Sequence, residues 1–238
     1  MLEIGPGRGA LTGELLQVTG RMAAVELDAL LAGRLRERFA AAGLILFDQD
    51  VLQLEFSTVL AALGATADGR LVVAGNLPYG ISKPVSQKLI RERGRVDRAV
   101  LMFQREVAER LTASPGSRSY GPLGVVAGLC YRIEKLFDVS PRAFRPMPRV
   151  TSTVTRWSAP ATPAPTDDEL ARLRGVLRAA FAGRRKTLRN NLRVALADPA
   201  RAERLLAAAA IEGELRAEAL PPAAFQRLAE LWDGSALL

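Results

Sequence analysis

The sequence predicts an α/β fold, a mostly parallel sheet covered by helices, followed by a small all-helical domain. Three observations carry that prediction. Short apolar runs alternate with amphipathic helical stretches over residues 1–112. The first run ends in a glycine-rich turn, as a strand feeding a crossover helix does. Beyond the uncharged stretch Ser158 to Thr166, which holds three prolines, nothing reads as a strand. The expected domains are therefore 1–157, catalytic, a linker at 158–166, and 167–238, a helical unit for substrate or RNA.

Each element follows from its local pattern. Met1 to Ile4 is a buried strand, and Ala10 to Val18 is the helix after the glycine turn. Arg21 to Glu26 is the second strand, and Asp28 caps a helix over Ala29 to Ala40. Gly43 to Phe47 is the third strand, followed by a helix over Val51 to Leu63. Leu71 to Ala74 is wholly apolar, as a central parallel strand should be. A helix over Lys83 to Arg91, a strand at Ala99 to Phe103 and a helix over Gln104 to Leu111 follow. Thr112 to Pro122 is a loop, and Leu123 to Cys130 is a short apolar helix. Tyr131 to Val139 and Val150 to Trp157 are strands with only a proline-broken connection between them, which predicts a hairpin at one sheet edge. Helices are expected over 167–182, 184–196, 199–209 and 221–232.

Composition narrows the chemistry. The chain has 238 residues and 49% hydrophobic residues, enough for a substantial core. It has no histidine and one cysteine, Cys130, which rules out a histidine base, an intrachain disulfide and a cysteine-histidine zinc site. The formal charge of +8 points to an anionic partner, nucleic acid first. No apolar run is long enough for a membrane span, and Met1 leads straight into a core strand. The expectation is a cytoplasmic monomer with no metal.

Gly5, Gly7 and Gly9 form a backbone cradle between a strand and a helix N-terminus, a place for a nucleotide. The second strand closes in Val25-Glu26, and an acid there can accept hydrogen bonds from both ribose hydroxyls of a nucleoside. Glu3, just before the turn, suits a cationic ligand portion better than a pyrophosphate. The combination favours a sulfonium amino acid, S-adenosylmethionine, over a nicotinamide dinucleotide. Asp50, at the exit of the third strand, can accept from an adenine amine; helix capping is its other reading, and Asp48 competes for the role. Leu27 and Val51 adjoin Glu26 and Asp50 and complete the expected donor site with Asn76.

Asn76-Leu77-Pro78-Tyr79 leaves the end of the central fourth strand, where ligands collect in open α/β sheets. Pro78 restrains Leu77, and Tyr79 can stack on a base taken out of its helix. The Asn76 carbonyl and a backbone carbonyl can accept from an exocyclic amine and aim its lone pair at a methyl group. No strong base is needed if nitrogen attacks first. An ordinary strand-to-turn exit with Tyr79 capping the core is the other reading.

Basic residues cluster in three places. Lys83, Lys88, Arg91, Arg93, Arg95 and Arg98 form the first run. Arg142, Arg145 and Arg149 lie in the proline-broken connection, and Arg184, Arg185, Lys186, Arg189 and Arg193 follow Gly183. Such residues position RNA phosphates without reading sequence. The expected RNA contacts are Lys83, Arg105, Arg145, Arg149, Arg184, Arg185, Lys186 and Arg189.

Several of these segments together resemble a known family. They are Glu3 to Thr12, Val25 to Asp28, Gln49-Asp50, Gly75 to Ser82, Gln104 to Arg110, Tyr120-Gly121, Phe144 to Ser152 and Arg184 to Asn190. The chain is similar throughout to the small-subunit ribosomal RNA adenine N6,N6-dimethyltransferases, the KsgA or RsmA family. The resemblance implies a class I, Rossmann-like methyltransferase fold with a C-terminal helical domain and S-adenosylmethionine as donor. It implies dimethylation of two adjacent adenines near the 3′ end of 16S ribosomal RNA in the small subunit during ribosome maturation. Glu26 would hold the ribose, Asp50 the adenine end, and Asn76 to Tyr79 the target base.

Two departures accompany the resemblance. Relatives carry an upstream segment with Gly-Gln-Asn-Phe-Leu that helps enclose donor and substrate, and it does not precede Met1 here. The expectation is a site without that cover and a first strand without its lead-in. Gly80 stands where many relatives have asparagine. The alternatives are a 23S ribosomal RNA adenine methyltransferase of the macrolide-resistance kind, a catalytically impaired assembly factor that binds ribosomal RNA, and a nicotinamide-dependent oxidoreductase.

Overall fold

The computed structural model describes residues 1–66 and 68–232. The helical domain expected over 167–238 has its last six positions, 233–238, outside the described residues. The chain divides into two compact units. One comprises Met1–Ala108 and Arg132–Ala159, the other Glu109–Tyr131 and the chain from Pro160 onward.

The first unit is built on a seven-stranded sheet of order β3-β2-β1-β4-β5-β7-β6. Its strands are β1 (Leu2–Ile4), β2 (Met22–Glu26), β3 (Leu44–Asp48), β4 (Leu71–Asn76), β5 (Val96–Gln104), β6 (Arg132–Val139) and β7 (Ser152–Ser158). The first five are parallel, and β7 pairs antiparallel with both β5 and β6, so the expected edge hairpin is present. Helices α1 (Ala10–Thr19), α2 (Ala29–Phe39), α3 (Phe56–Ala62) and α4 (Ser82–Arg91) connect the parallel strands. Asp28 caps α2 as expected, its carboxylate accepting from the N–H groups of Leu30 and Leu31. Leu16, Met22, Leu35 and Phe39 form a core under α1 and α2. On β5 and β7, Leu101, Phe103 and Trp157 are fully buried, which explains why β7 alternates.

The helix expected over Val51 to Leu63 starts only at Phe56. Asp50 is the reason. Its carboxylate accepts from Leu52 N–H at 2.8 Å and its carbonyl from Gln53 and Leu54 N–H at 3.0 and 3.2 Å. Those bonds close a turn instead of a helix.

The chain passes between units within α5 (Arg105–Leu111). The second unit contains α6 (Pro122–Cys130), α7 (Asp167–Ala180), α8 (Leu188–Leu196), α9 (Pro199–Ala208) and α10 (Pro222–Glu230). Segment 109–131, placed by its sequence position in 1–157, packs within this unit. The Tyr120 hydroxyl donates to the Leu220 carbonyl at 2.9 Å, and Gly116 N–H to the Glu218 carbonyl at 2.7 Å. Phe181 joins Tyr120 to Phe225 through ring contacts of 6.4 and 5.7 Å between centroids. Thr166 and Glu169 form a reciprocal capping box at the start of α7. The helix expected from 184 begins at Leu188, because Thr187 caps it by accepting from Asn190 N–H. Arg184, Arg185 and Lys186 therefore lie in a turn. Among the described residues no helix is long and apolar enough to cross a membrane.

Candidate active site

Four strand ends of the first unit build the site. After β1, Gly5, Gly7 and Gly9 all have positive φ, at 64°, 58° and 77°. Their roles differ. A Cβ on Gly9 would come within 2.8 Å of Leu35 and Phe39, so this glycine lets α1 pack on α2. A Cβ on Gly7 would meet nothing within 4 Å, so the backbone there faces open space that a ligand can use.

The Gly7 N–H donates to Glu26 Oε2 at 2.9 Å, while Leu27 and Asp28 N–H donate to Oε1 at 2.9 and 3.1 Å. Three main-chain amides thus fix the Glu26 carboxylate between the β1 turn and the start of α2. The Glu26 carbonyl also accepts from Gln49 N–H at 3.1 Å, which ties the Asp50 turn to the end of β2. Asp48 is the register partner of Glu26 and is exposed, whereas Asp50 is half-buried and held by Leu52 N–H. Leu27 is 70% exposed, an apolar side chain presented to solvent beside a fixed carboxylate. Val51 is buried.

Glu3 lies deeper, 2% exposed, and takes a hydrogen bond from the Thr12 hydroxyl of α1 at 2.7 Å. Burial pushes its carboxyl above the ordinary range; the Thr12 bond opposes that shift and the negative charge of Glu26 adds to it. A cation brought near would relieve both.

On β4, Gly75 pairs with Ile4, and a Cβ there would sit 2.8 Å from the Ile4 carbonyl oxygen. The close approach brings the next residues against the glycine turn: Pro78 Cδ lies 3.7 Å from the position of a Gly5 Cβ. Asn76 is exposed at the end of β4 and Leu77 is buried. The Leu77 side chain belongs to the core. Tyr79 is 37% exposed, with its hydroxyl 3.3 Å from Ser152 Oγ of β7. Ser152 and Thr12 lie inside segments that carry the family resemblance, and the fold shows what they touch.

The structure sorts the basic residues. Lys83, Arg145, Arg149, Arg184, Arg185 and Lys186 are exposed. Arg105 lies 3.9 Å from Asp138, and Arg184 donates to the Arg118 carbonyl. Arg189 is engaged by Glu203, at 3.0 Å, and by Glu214. Arg193 also pairs with Glu203, so acids distant in sequence neutralise part of a run that had none within it. Lys88 is not on the basic surface: it is 2% exposed. Its place on the face that carries Val85 and Leu89 was a readable sign of burial. Among the described residues no cluster of acids and cysteine could hold a metal.

A parallel sheet of this order with an antiparallel β7-β6 edge, a glycine turn after β1 and a fixed carboxylate ending β2, is the frame of a class I S-adenosylmethionine-dependent methyltransferase. The sequence profile of the family described as ribosomal RNA adenine dimethylase matches residues 1–233, and the chain belongs to that family. It is 43% identical over 233 residues to the ribosomal RNA small subunit methyltransferase A of Acidobacterium capsulatum, covering 98% of this chain and 80% of that one. The protein of that name from Magnetococcus marinus is 44% identical over 230 residues, 96% of this chain and 80% of the relative. Among solved structures, a dimethyladenosine transferase from Plasmodium falciparum superposes with a TM-score of 0.79 at 25% identity, over 95% of this chain and 87% of that one. The 23S rRNA methyltransferase ErmE gives 0.69 at 26% identity, over 98% and 90%. Family and fold make S-adenosylmethionine the methyl donor, and the open backbone at Gly7, the fixed Glu26 carboxylate and the buried Glu3 fit it.

Proposed function

We propose that this protein methylates N6 of two adjacent adenines near the 3′ end of 16S ribosomal RNA, giving N6,N6-dimethyladenine as the small subunit matures. The observation that supports the reading is the approach of Pro78 to the glycine turn, its Cδ 3.7 Å from where a Gly5 Cβ would stand, on the segment that carries Asn76 and Tyr79. The names of the relatives at 43 and 44% identity support the small subunit as target. The sheet unit is the catalytic domain, and the helical unit after the linker carries RNA contacts.

When bound, S-adenosylmethionine supplies an electrophilic methyl group. Glu26, held by three amides, accepts from the ribose hydroxyls, with Leu27 and Val51 against the nucleoside and Asp50 accepting at its adenine end. Glu3 balances the positive amino-acid portion, and Gly5 and Gly7 let it approach the backbone. Tyr79 stacks on the target adenine. The Asn76 side-chain carbonyl and the Leu77 main-chain carbonyl accept from its amine and localise the nitrogen lone pair. As nitrogen attacks, the carbon–sulfur bond would break and the thioether would leave; the proton would then pass from the methylated amine to water, so a strong base is not required. Lys83, Arg105, Arg145, Arg149, Arg184, Arg185 and Lys186 meet RNA phosphates, while Arg189 first holds α8 to Glu203 and Glu214.

The test supplies labelled S-adenosylmethionine and small subunits lacking the mark, followed by nucleoside mass spectrometry. Dimethyladenine at paired 3′ adenines is expected, with transfer falling about 100-fold or more in Asn76→Ala and Tyr79→Ala while donor binding stays within about threefold. Unchanged turnover in both variants would overturn the assigned roles. Product only in 23S RNA would replace the target, and subunit binding without product would favour an assembly factor.

A further inference from the structure

The Asp50 turn and the helix that follows Tyr79 meet at one buried lysine. Lys88 of α4 is 2% exposed, and its Nζ lies 3.5 Å from the Leu52 carbonyl oxygen. The ammonium lies 3.8 Å from Glu92 Oε1 and 5.1 Å from the centroid of the Phe56 ring. Glu92 is shared, its other oxygen lying 3.3 Å from Arg95 Nη1. A buried ammonium with so loose an ion pair recovers little of its solvation. Its consequence is geometric: Leu52 offers its N–H to the Asp50 carboxylate and its carbonyl to Lys88, so the turn is gripped from both sides.

We propose that Lys88 is a positioning residue for Asp50, fixing the donor-binding turn to the helix that begins just after the target-base motif. The proposal rests on the reading of Asp50 as a donor contact. Lys88 itself touches neither substrate. It holds the Leu52 peptide and thereby the orientation in which Asp50 accepts, and it ties that turn to α4, whose first turn continues the Asn76–Tyr79 segment.

Lys88→Met tests this; it leaves buried Glu92 beside Arg95 alone of the two cations described above, so a lower melting temperature is expected and the readout is the split between donor KM and kcat. The expected result is a donor KM raised about tenfold, with kcat and RNA KM little changed at a temperature where the variant stays folded, the size expected for one misplaced hydrogen bond. In an Asp50→Ala background, Lys88→Met should add less than about twofold, because the residue it positions is gone. Lys88→Gln keeps an N–H donor and should recover part of the loss. If Lys88→Met does not fold, the same comparison is made with Lys88→Gln with and without Asp50→Ala. An unchanged donor KM in Asp50→Ala would remove the reading of Asp50. A raised KM in Asp50→Ala with none in the Lys88 variant, or effects that multiply in the double variant, would overturn the inference and leave Asp50 in place.

Discussion

Asn191→Ala separates the basic turn from the helices that hold it. Asn191 is 3% exposed on α8. Its Nδ2 donates to the Ala180 carbonyl at 2.7 Å and the Gly183 carbonyl at 3.1 Å, and its Oδ1 accepts from Gly183 N–H at 3.1 Å. One side chain thus closes the end of α7 and the start of the turn that presents Arg184, Arg185 and Lys186. At about 1 kcal/mol net per hydrogen bond, three bonds amount to about 3 kcal/mol, less whatever water recovers at Gly183. The two tryptophans allow this to be read where it occurs. Trp157 lies in the first unit and Trp232 in the second, buried against Gly175. In a Trp157→Phe background, urea unfolding followed by the Trp232 signal should report a loss of about 2–4 kcal/mol. At a temperature where the variant stays folded, affinity for small-subunit RNA should fall about 3- to 10-fold, since the proposed phosphate contacts would lose their fixed spacing. A loss below about 0.5 kcal/mol would refute the energetic reasoning. Full destabilisation with unchanged RNA affinity would refute the link between this asparagine and the basic turn.

Three further predictions concern the donor cradle and the basic turn. The Glu3 carboxyl is raised above 4.5 by burial, so the donor-free protein has its full Glu3 contribution below that pH and loses it as pH rises through the higher folded value. Glu3→Gln should therefore raise the melting temperature of donor-free protein near pH 7 but not near pH 4, and weaken donor binding; an equal gain at both would contradict it. Gly9→Ala should lower stability with little change in donor affinity, because its methyl meets Leu35 and Phe39, whereas Gly7→Ala should cut donor affinity at a strain cost of about 1 kcal/mol; thermal melts and calorimetric titration distinguish them. Arg185→Ala should lower the salt slope of RNA binding by about 0.7–0.9. Arg189→Ala should instead destabilise the helical unit, since its partners are Glu203 and Glu214.

Much of this arrangement is legible along the chain, because parallel strands are short apolar runs and their helices have one apolar face. Leu71 to Ala74 and the glycine turn are local signals, and the uncharged linker marks where strands stop. What escapes is whatever depends on a partner far away. Asp50 captures the next amides and delays α3 to Phe56. Tyr120 reaches Leu220, so a segment amid the sheet strands packs with the last helices. Arg189 meets acids of a later helix and a later loop, and its own neighbourhood shows only positive charge. The candidate site was visible as residue types, Glu26 and Asn76 to Tyr79 above all. The three amides on Glu26, the seat of Pro78 on Gly5 and the burial of Glu3 required the fold.

These holding contacts bear on how a chain without histidine can run the reaction. An adenine amine is a poor nucleophile because its lone pair is drawn into the ring, and a base acting before attack would have to remove a weakly acidic proton. Acceptors placed around the nitrogen answer the first difficulty, and late proton loss avoids the second. Such acceptors help only if they do not have to reorganise as charge develops. Here Asn76 ends a strand whose register is locked by Gly75 against Ile4, Pro78 fixes the backbone after it, and Tyr79 reaches Ser152 on β7. Glu26 and Asp50, proposed to hold the donor, are themselves held by main-chain amides instead of by mobile side chains. On the proposed reading catalytic power resides in placement, and loosening a supporting residue such as Lys88 should be felt in donor KM more than in kcat.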